Sequence, residues 1–194
     1  LSGTSTAAPH VAGIAALVRQ AHPTWTPVQV KGALTSTATT TGLRGYDTQR
    51  LGAGLVQPRQ AAATKAYAWT STGLNSITFG MNQLGGARTE SQTFKITNRS
   101  GAPVRYTFST RFGSDRLGAD VTVSPRTLTV KAGATGTATV KLAYSTADVA
   151  ELPGADRSDH GRLTALRGVV TATPEREIDR HAGVFIVLTV AGGS

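Results

Sequence analysis

The sequence predicts an α+β chain: a helical N-terminal third followed by an antiparallel β-sandwich. Three observations carry that expectation. From His10 onward, Val11, Ala12, Ile14, Ala15, Ala16, Leu17 and Val18 leave almost no polar face, and a helix apolar all round belongs in an interior. After Ala63 the apolar period changes from helical to two, as half-buried strands require. Turn cues then recur at short intervals: Arg99-Ser100-Gly101, Ser124-Pro125, Ala132-Gly133 and Pro174-Glu175. The domain boundaries follow: a helical unit over 1–64, a linker over 65–76 and a sandwich over 77–194.

Each element has a local reason. Gly3 permits a tight turn, and Thr4 or Ser5 can cap the first free N–H groups. Pro9 is tolerated only in a first helical turn, so the first helix starts close to Ser5 and is expected over Thr4–Ala21. Thr26 as N-cap and Pro27 at the first helical position start a second helix over Thr26–Thr37. A short third helix falls near Pro58–Thr64. Beyond it, Phe94 and Ile96 alternate with Lys95 and Thr97; Val104, Tyr106 and Phe108 alternate with Arg105 and Thr107. Val121 and Val123, Leu128 and Val130, Val140 and Leu142, Val169 and Thr171, and Val184 to Val190 do likewise, roughly seven strands in all. Asp148 to Arg162 have no periodicity and are expected as a long exposed loop. A long helix beyond Ser76 would contradict this reading.

The chain has 194 residues, of which 39% are hydrophobic and 16% charged, so wholesale disorder is excluded. Its net charge of +9 would suit a polyanion. The Arg residues are scattered singly, however, so we expect a basic soluble surface and no nucleic-acid partner. No stretch approaches the ~20 apolar residues of a membrane helix. The absence of cysteine excludes disulfides and thiol chemistry. The chain opens at Leu1 without an initiator Met or a leader pattern, so it is expected to be processed or internal to a longer protein.

No cofactor and no metal is expected. His22, His160 and His181 carry no ligand spacing. Glu151, Asp156 and Asp159 share one loop without the regular alternation of a calcium site, and are read as solvated. Asn98-Arg99-Ser100 fits the glycosylation pattern but is read as a hairpin turn. Trp25 and Trp69 are read as core or junction residues.

Ser5 remains. At a helix mouth a serine is commonly an N-cap, yet the same place offers free N–H groups and a positive dipole end to a developing oxyanion. Both roles are open on local physics. The surrounding string Gly3-Thr4-Ser5-Thr6-Ala7-Ala8-Pro9-His10-Val11-Ala12-Gly13 closely resembles the serine motif of the subtilisin-like serine proteases, G-T-S-x-A-x-P-H-V-A-G, matching nine fixed positions in eleven. The resemblance continues through His22-Pro23, the Thr26-Pro27 helix start, Gly52-Ala53-Gly54-Leu55-Val56 and Ala61-Ala62-Ala63 to about residue 64. Gln57-Pro58 departs from it, since Asn or Asp is more usual there.

The resemblance implies that residues 1–64 are the C-terminal helical remnant of a subtilisin-like α/β catalytic domain. It implies that Ser5 is the acyl-forming nucleophile, with its own backbone N–H one donor of the oxyanion hole. The family's Asp and His precede the serine, so the triad's other members, and the side-chain amide donor, lie upstream of Leu1. His10 is no substitute: five residues on, it points roughly 140° away around the axis and is expected to face packed side chains. The chain alone is therefore expected to be inert, a fragment of a secreted serine endopeptidase acting on proteins or peptides. Its other partner is the upstream part of its own catalytic domain.

The strand region looks like the fibronectin-III-like domains that follow such catalytic domains, carried by Phe94-x-Ile96-Thr97-Asn98 and Val123-Ser124-Pro125 with Leu128 and Ala132-Gly133. The competing expectation is a non-catalytic sandwich module carrying a protease stump.

Overall fold

The computed structural model describes residues 3–73, 75–83, 86–112, 118–150, 164–176 and 184–193. The chain starts with α1 (Thr4–Ala21), α2 (Pro27–Ser36), α3 (Thr48–Leu51) and α4 (Pro58–Ala63). The first two match the expected helices to within a residue. Thr26 caps α2 through a reciprocal box: its Oγ1 accepts from the Gln29 N–H while Gln29 Oε1 accepts from the Thr26 N–H at 2.8 Å. The single turn of α3 was not foreseen.

Among the described residues, nine strands follow in two sheets. One sheet has the order β1-β3-β7-β5, from β1 (Ala66–Thr70), β3 (Arg88–Asn98), β7 (Thr135–Tyr144) and β5 (Asp120–Ser124). The other runs β2-β9-β8-β4-β6, from β2 (Ser76–Gln83), β9 (Val184–Gly193), β8 (Thr164–Pro174), β4 (Val104–Phe112) and β6 (Thr127–Val130). Phe94 of β3 meets Phe108 of β4 edge-on, centroids 5.5 Å apart, which joins the sheets at the centre of a core that also holds Ile96, Val104, Tyr106, Val140 and Val170. One short helix, α5 (Thr146–Ala150), is the only helical turn beyond Ser76 among the described residues.

Four expectations need correction. The sandwich is not wholly antiparallel, because β2 pairs with β9 in parallel, Ser76 opposite Val187. These strands lie at opposite ends of the sandwich sequence, so no hairpin fixes their relative direction. A register shift between Thr78 and Met81, spanning Gly80 at φ +75°, bulges the pairing. The linker expected over 65–76 contains β1, which pairs with β3 from Ala66–Asn98 to Thr70–Phe94. Its polar–apolar alternation is invisible because both faces are covered: Ala66 and Ala68 join the sandwich core, while Tyr67 packs among the helices. The first helix is not interior along its length: Val11 in its first half and Leu17 in its second are exposed, and of its residues only Val18 is fully buried. Lastly, the loop expected from Asp148 begins inside α5, and residues 151–163 lie outside the described residues. So do Glu151, Asp156, Asp159, His160 and His181, and the side chains of Val184, Ile186, Leu188 and Val190.

The sequon Asn98 is a turn residue, as expected. It is fully buried; its Nδ2 donates to the carbonyls of Ala102 (2.8 Å) and Val130 (3.0 Å), and its Oδ1 accepts from the Ser100 N–H (2.8 Å). The side chain thus ties the β3–β4 turn to the end of β6.

Candidate functional site

The mouth of α1 is built by Gly3. It occupies the N-cap with φ 144°, a region that favours glycine, and no side chain among the described residues caps the helix. Its carbonyl accepts from the Thr6 N–H at 3.1 Å, the Ala7 N–H at 3.3 Å and the Thr6 hydroxyl at 2.7 Å. Ser5 is therefore the second residue of the helix, not its cap. Its side chain is exposed, and its N–H belongs to the first turn, where backbone donors have no intrahelical acceptor. Pro9 sits in the second turn, where its missing N–H forgoes the bond to Ser5's carbonyl and leaves that end of the helix open.

His10 is exposed, contrary to the expectation of a packed ring. Among the described residues no element covers this stretch of α1, so the ring turns back on its own helix and donates from Nδ1 to the Thr6 carbonyl at 2.7 Å. No Ser5–His10 hydrogen bond forms among the described residues. No group of three or more His, Asp or Glu that could hold a metal ion occurs among them either.

The opposite end of α1 is anchored. Val18 packs with Trp25, Val30, Ala33, Ala61 and Tyr67 in a second core. Trp25 stacks on His22, centroids 3.9 Å apart, and meets Tyr67 edge-on at 5.5 Å. His22 Nε2 donates to the Ala62 carbonyl at 2.9 Å, and Arg19 donates to the Trp25 carbonyl. Both tryptophans are junction residues: Trp69 donates from Nε1 to Thr97 Oγ1 at 3.0 Å, with Lys95 over its ring at 4.7 Å. Ser36 and Asn75 complete the seam. The fully buried Ser36 hydroxyl accepts from the Ala68 N–H at 3.0 Å and from Asn75 Nδ2 at 3.2 Å.

A second seam holds the segment after α2. Thr39 and Leu55 form an antiparallel bridge, and Gly54 is needed there, since a Cβ would stand 2.4 Å from the Thr39 carbonyl oxygen at φ +107°. From the sandwich, Arg111 donates to Thr40 Oγ1 at 2.6 Å and Arg167 pairs with Asp47 at 2.5 Å. Burial pushes the Tyr46 phenol above its ordinary range; Arg111 opposes this and Asp47 adds to it. Sequence reasoning missed Tyr67, Asp47, Arg111 and Arg167. Each acts across a contact distant in sequence, and only for Tyr67, flanked by alternating alanines, was there a faint signal.

Comparison with known proteins bears on the same segment. Residues 1–54 match the Subtilase family of the S8 peptidases. The chain is similar to the subtilisin-like protease SBT2.5 of Arabidopsis thaliana, 47% identical over 66 residues, or 34% of this chain and 7% of that protein. It is similar to alkaline elastase YaB of Bacillus sp., 48% identical over 60 residues, or 31% and 15%. It is also similar to the minor extracellular protease Vpr of Bacillus subtilis, 33% identical over 147 residues, or 74% and 18%. That last alignment is too long to end with the helices and must run on into the strands. The chain spans 18% or less of the length of these relatives. Among solved structures, a FixG-related protein from Vibrio parahaemolyticus covers 66% of this chain and 94% of that one, at TM-score 0.39 and 13% identity.

Proposed function

We propose that Ser5 is the nucleophile of a subtilisin-like serine endopeptidase, of which this chain supplies the serine helix and an accessory sandwich. The observation that carries this reading is the nine-position serine motif held in the first turns of an 18-residue helix, with Ser5 exposed and free of capping duty. In the reaction the Ser5 hydroxyl attacks the scissile carbonyl carbon and gives its proton to an imidazole. The oxyanion that forms is received by the Ser5 N–H and a second donor, and the leaving amine takes the proton back. Water then releases the acyl group by the same steps in reverse.

The imidazole, its orienting carboxylate and the second donor come from the segment preceding the serine. A serine hydroxyl without a base is a poor nucleophile at neutral pH, so the 194-residue chain alone is inert. Its substrates are proteins or peptides, and its site of action is extracellular. The strand region serves as a fibronectin-III-like accessory domain; what supports this is a two-sheet sandwich, of nine strands with one parallel pair among the described residues.

The test is a fluorophosphonate probe applied to this chain and to a longer protein carrying the upstream segments. We expect labelling at Ser5 in the longer protein only, abolished by Ser5→Ala. Labelling of the short chain at the same rate would overturn the need for upstream residues; no labelling of the longer protein would overturn the nucleophile. In the second case the sandwich, which holds the larger of the two cores, would be the functional part and the helices a stump.

A further inference from the structure

We propose that Tyr67 is a positioning residue for Ser5, through which the first strand of the sandwich sets where the serine helix stands. This rests on Ser5 being the nucleophile. It makes the sandwich part of the catalytic apparatus instead of an appended module.

The path is contiguous. Ala66 and Ala68 fix β1 in the sandwich core, so Tyr67 between them must project from the other side of the sheet. There its ring lies against the backbone of α2: a Cβ on Gly32 would come 3.1–3.3 Å from Tyr67 Cδ2, Cβ and Cγ. Its hydroxyl accepts from Gln29 Nε2 at 3.0 Å, from the same side chain that closes the cap of α2. Its ring supports Trp25 edge-on. Trp25 in turn is fastened to the end of α1 twice, by stacking on His22 and by the hydrogen bond from Arg19 to its carbonyl. Tyr67 is thus the sandwich's foothold under the α1–α2 turn.

Ser5 sits at the far end of the same rigid rod. At 1.5 Å per residue, Ser5 and Val18 are about 20 Å apart along the axis. Ser5 and Ala7 to Gly13 are exposed while Val18 is buried in the helical core, so the described chain holds α1 mainly at its C-terminal end. A pivot of only about 3° there moves Ser5 by about 1 Å, and a misplacement of that size can cost about a hundredfold in rate. Substrate binding, made by other groups, would be spared.

The experiment has two arms. In the longer protein, Tyr67→Ala should lower kcat at least about tenfold with KM unchanged, and Tyr67→Phe, which keeps the ring, should restore it to within about twofold. Phe108→Leu, which loosens the sandwich core without touching the helices, should leave kcat unchanged. In the 194-residue chain, Tyr67→Ala should cut hydrogen-exchange protection of the α1 amides about tenfold while β3 and β7 stay protected. If Tyr67→Ala does not fold, Gly32→Ala, which pushes a methyl onto the same ring, is read by the same measures.

A rise in KM with kcat kept, an equal loss in Phe108→Leu, or unmoved α1 protection would each overturn the proposal. If Ser5 never labels in the longer protein, the nucleophile reading fails by itself, and the exchange arm still decides whether Tyr67 holds α1.

Discussion

At the scale of single residues, the two most informative positions are polar side chains with opposite surroundings. Ser5 is exposed and makes no capping bond, because Gly3 at φ 144° has taken the N-cap. Ser5→Ala should therefore change stability by less than about 0.5 kcal/mol, where loss of a true cap would cost about 1 kcal/mol; the urea midpoint of the chain decides. Asn98 is fully buried, with every polar atom of its side chain engaged. Asn98→Ala should cost about 3 kcal/mol, since it strands the Ser100 N–H and the carbonyls of Ala102 and Val130, and the same denaturation measures it. Both positions were singled out in the sequence, Ser5 by its motif and Asn98 by its turn chemistry. The exposure of His10 was not legible, because a periodicity tells which face of a helix is apolar but not whether anything covers it.

At the scale of elements, legibility follows how one-sided each element is. β3 and β4 have one buried and one open face over part of their length, so their alternation is plain in the sequence. β1 is covered on both faces and reads Ala-Tyr-Ala-Trp-Thr, which has no polar side to betray a strand. The α5 turn was hidden for another reason: its signal is one reciprocal cap. The Ser145 N–H donates to Asp148 Oδ2 at 2.7 Å, and the Asp148 N–H donates to Ser145 Oγ at 3.1 Å.

Hydrogen bonding to the carboxylate from the Ser145 hydroxyl, and then from the Ser145 N–H, holds the Asp148 carboxyl below its ordinary range. In the unfolded chain Asp148 titrates near the usual value of about 3.9. Its contribution is therefore complete above that pH and is lost as the pH falls through the depressed folded value. Asp148→Asn should be less stable than the parent at pH 6, and the gap should close as the pH is lowered below about 4. A urea midpoint series across that range tests the sign.

At the scale of the molecule, β1 belongs to two cores at once, and this sets how the chain can come apart. Among the described residues the helical core consists of Val18, Trp25, Val30, Ala33, Ala61 and Tyr67, and the last of these is supplied by the sandwich. Without Tyr67 the helices share four small or medium aliphatic side chains around one Trp, too little apolar area to offset the ordering of some sixty residues. The sandwich is in the opposite position. Its own core runs through both sheets, and removing the helices uncovers the outer face of β1, the parts of β8 and β9 that α2 and α3 adjoin, the Ser36–Asn75 seam and the Arg111 and Arg167 contacts.

A fragment of residues 1–64 should thus be unfolded by far-UV circular dichroism. A fragment of residues 65–194 should retain its strand signal, melt at a lower temperature than the whole chain, and bind a hydrophobic dye through the uncovered Tyr67 and Trp69. Stable helices in the first fragment would mean that α1, α2 and α4 need no strand beneath them. Loss of strand signal in the second would mean that β1 is held in the sheet by the helices and not by its pairing with β3.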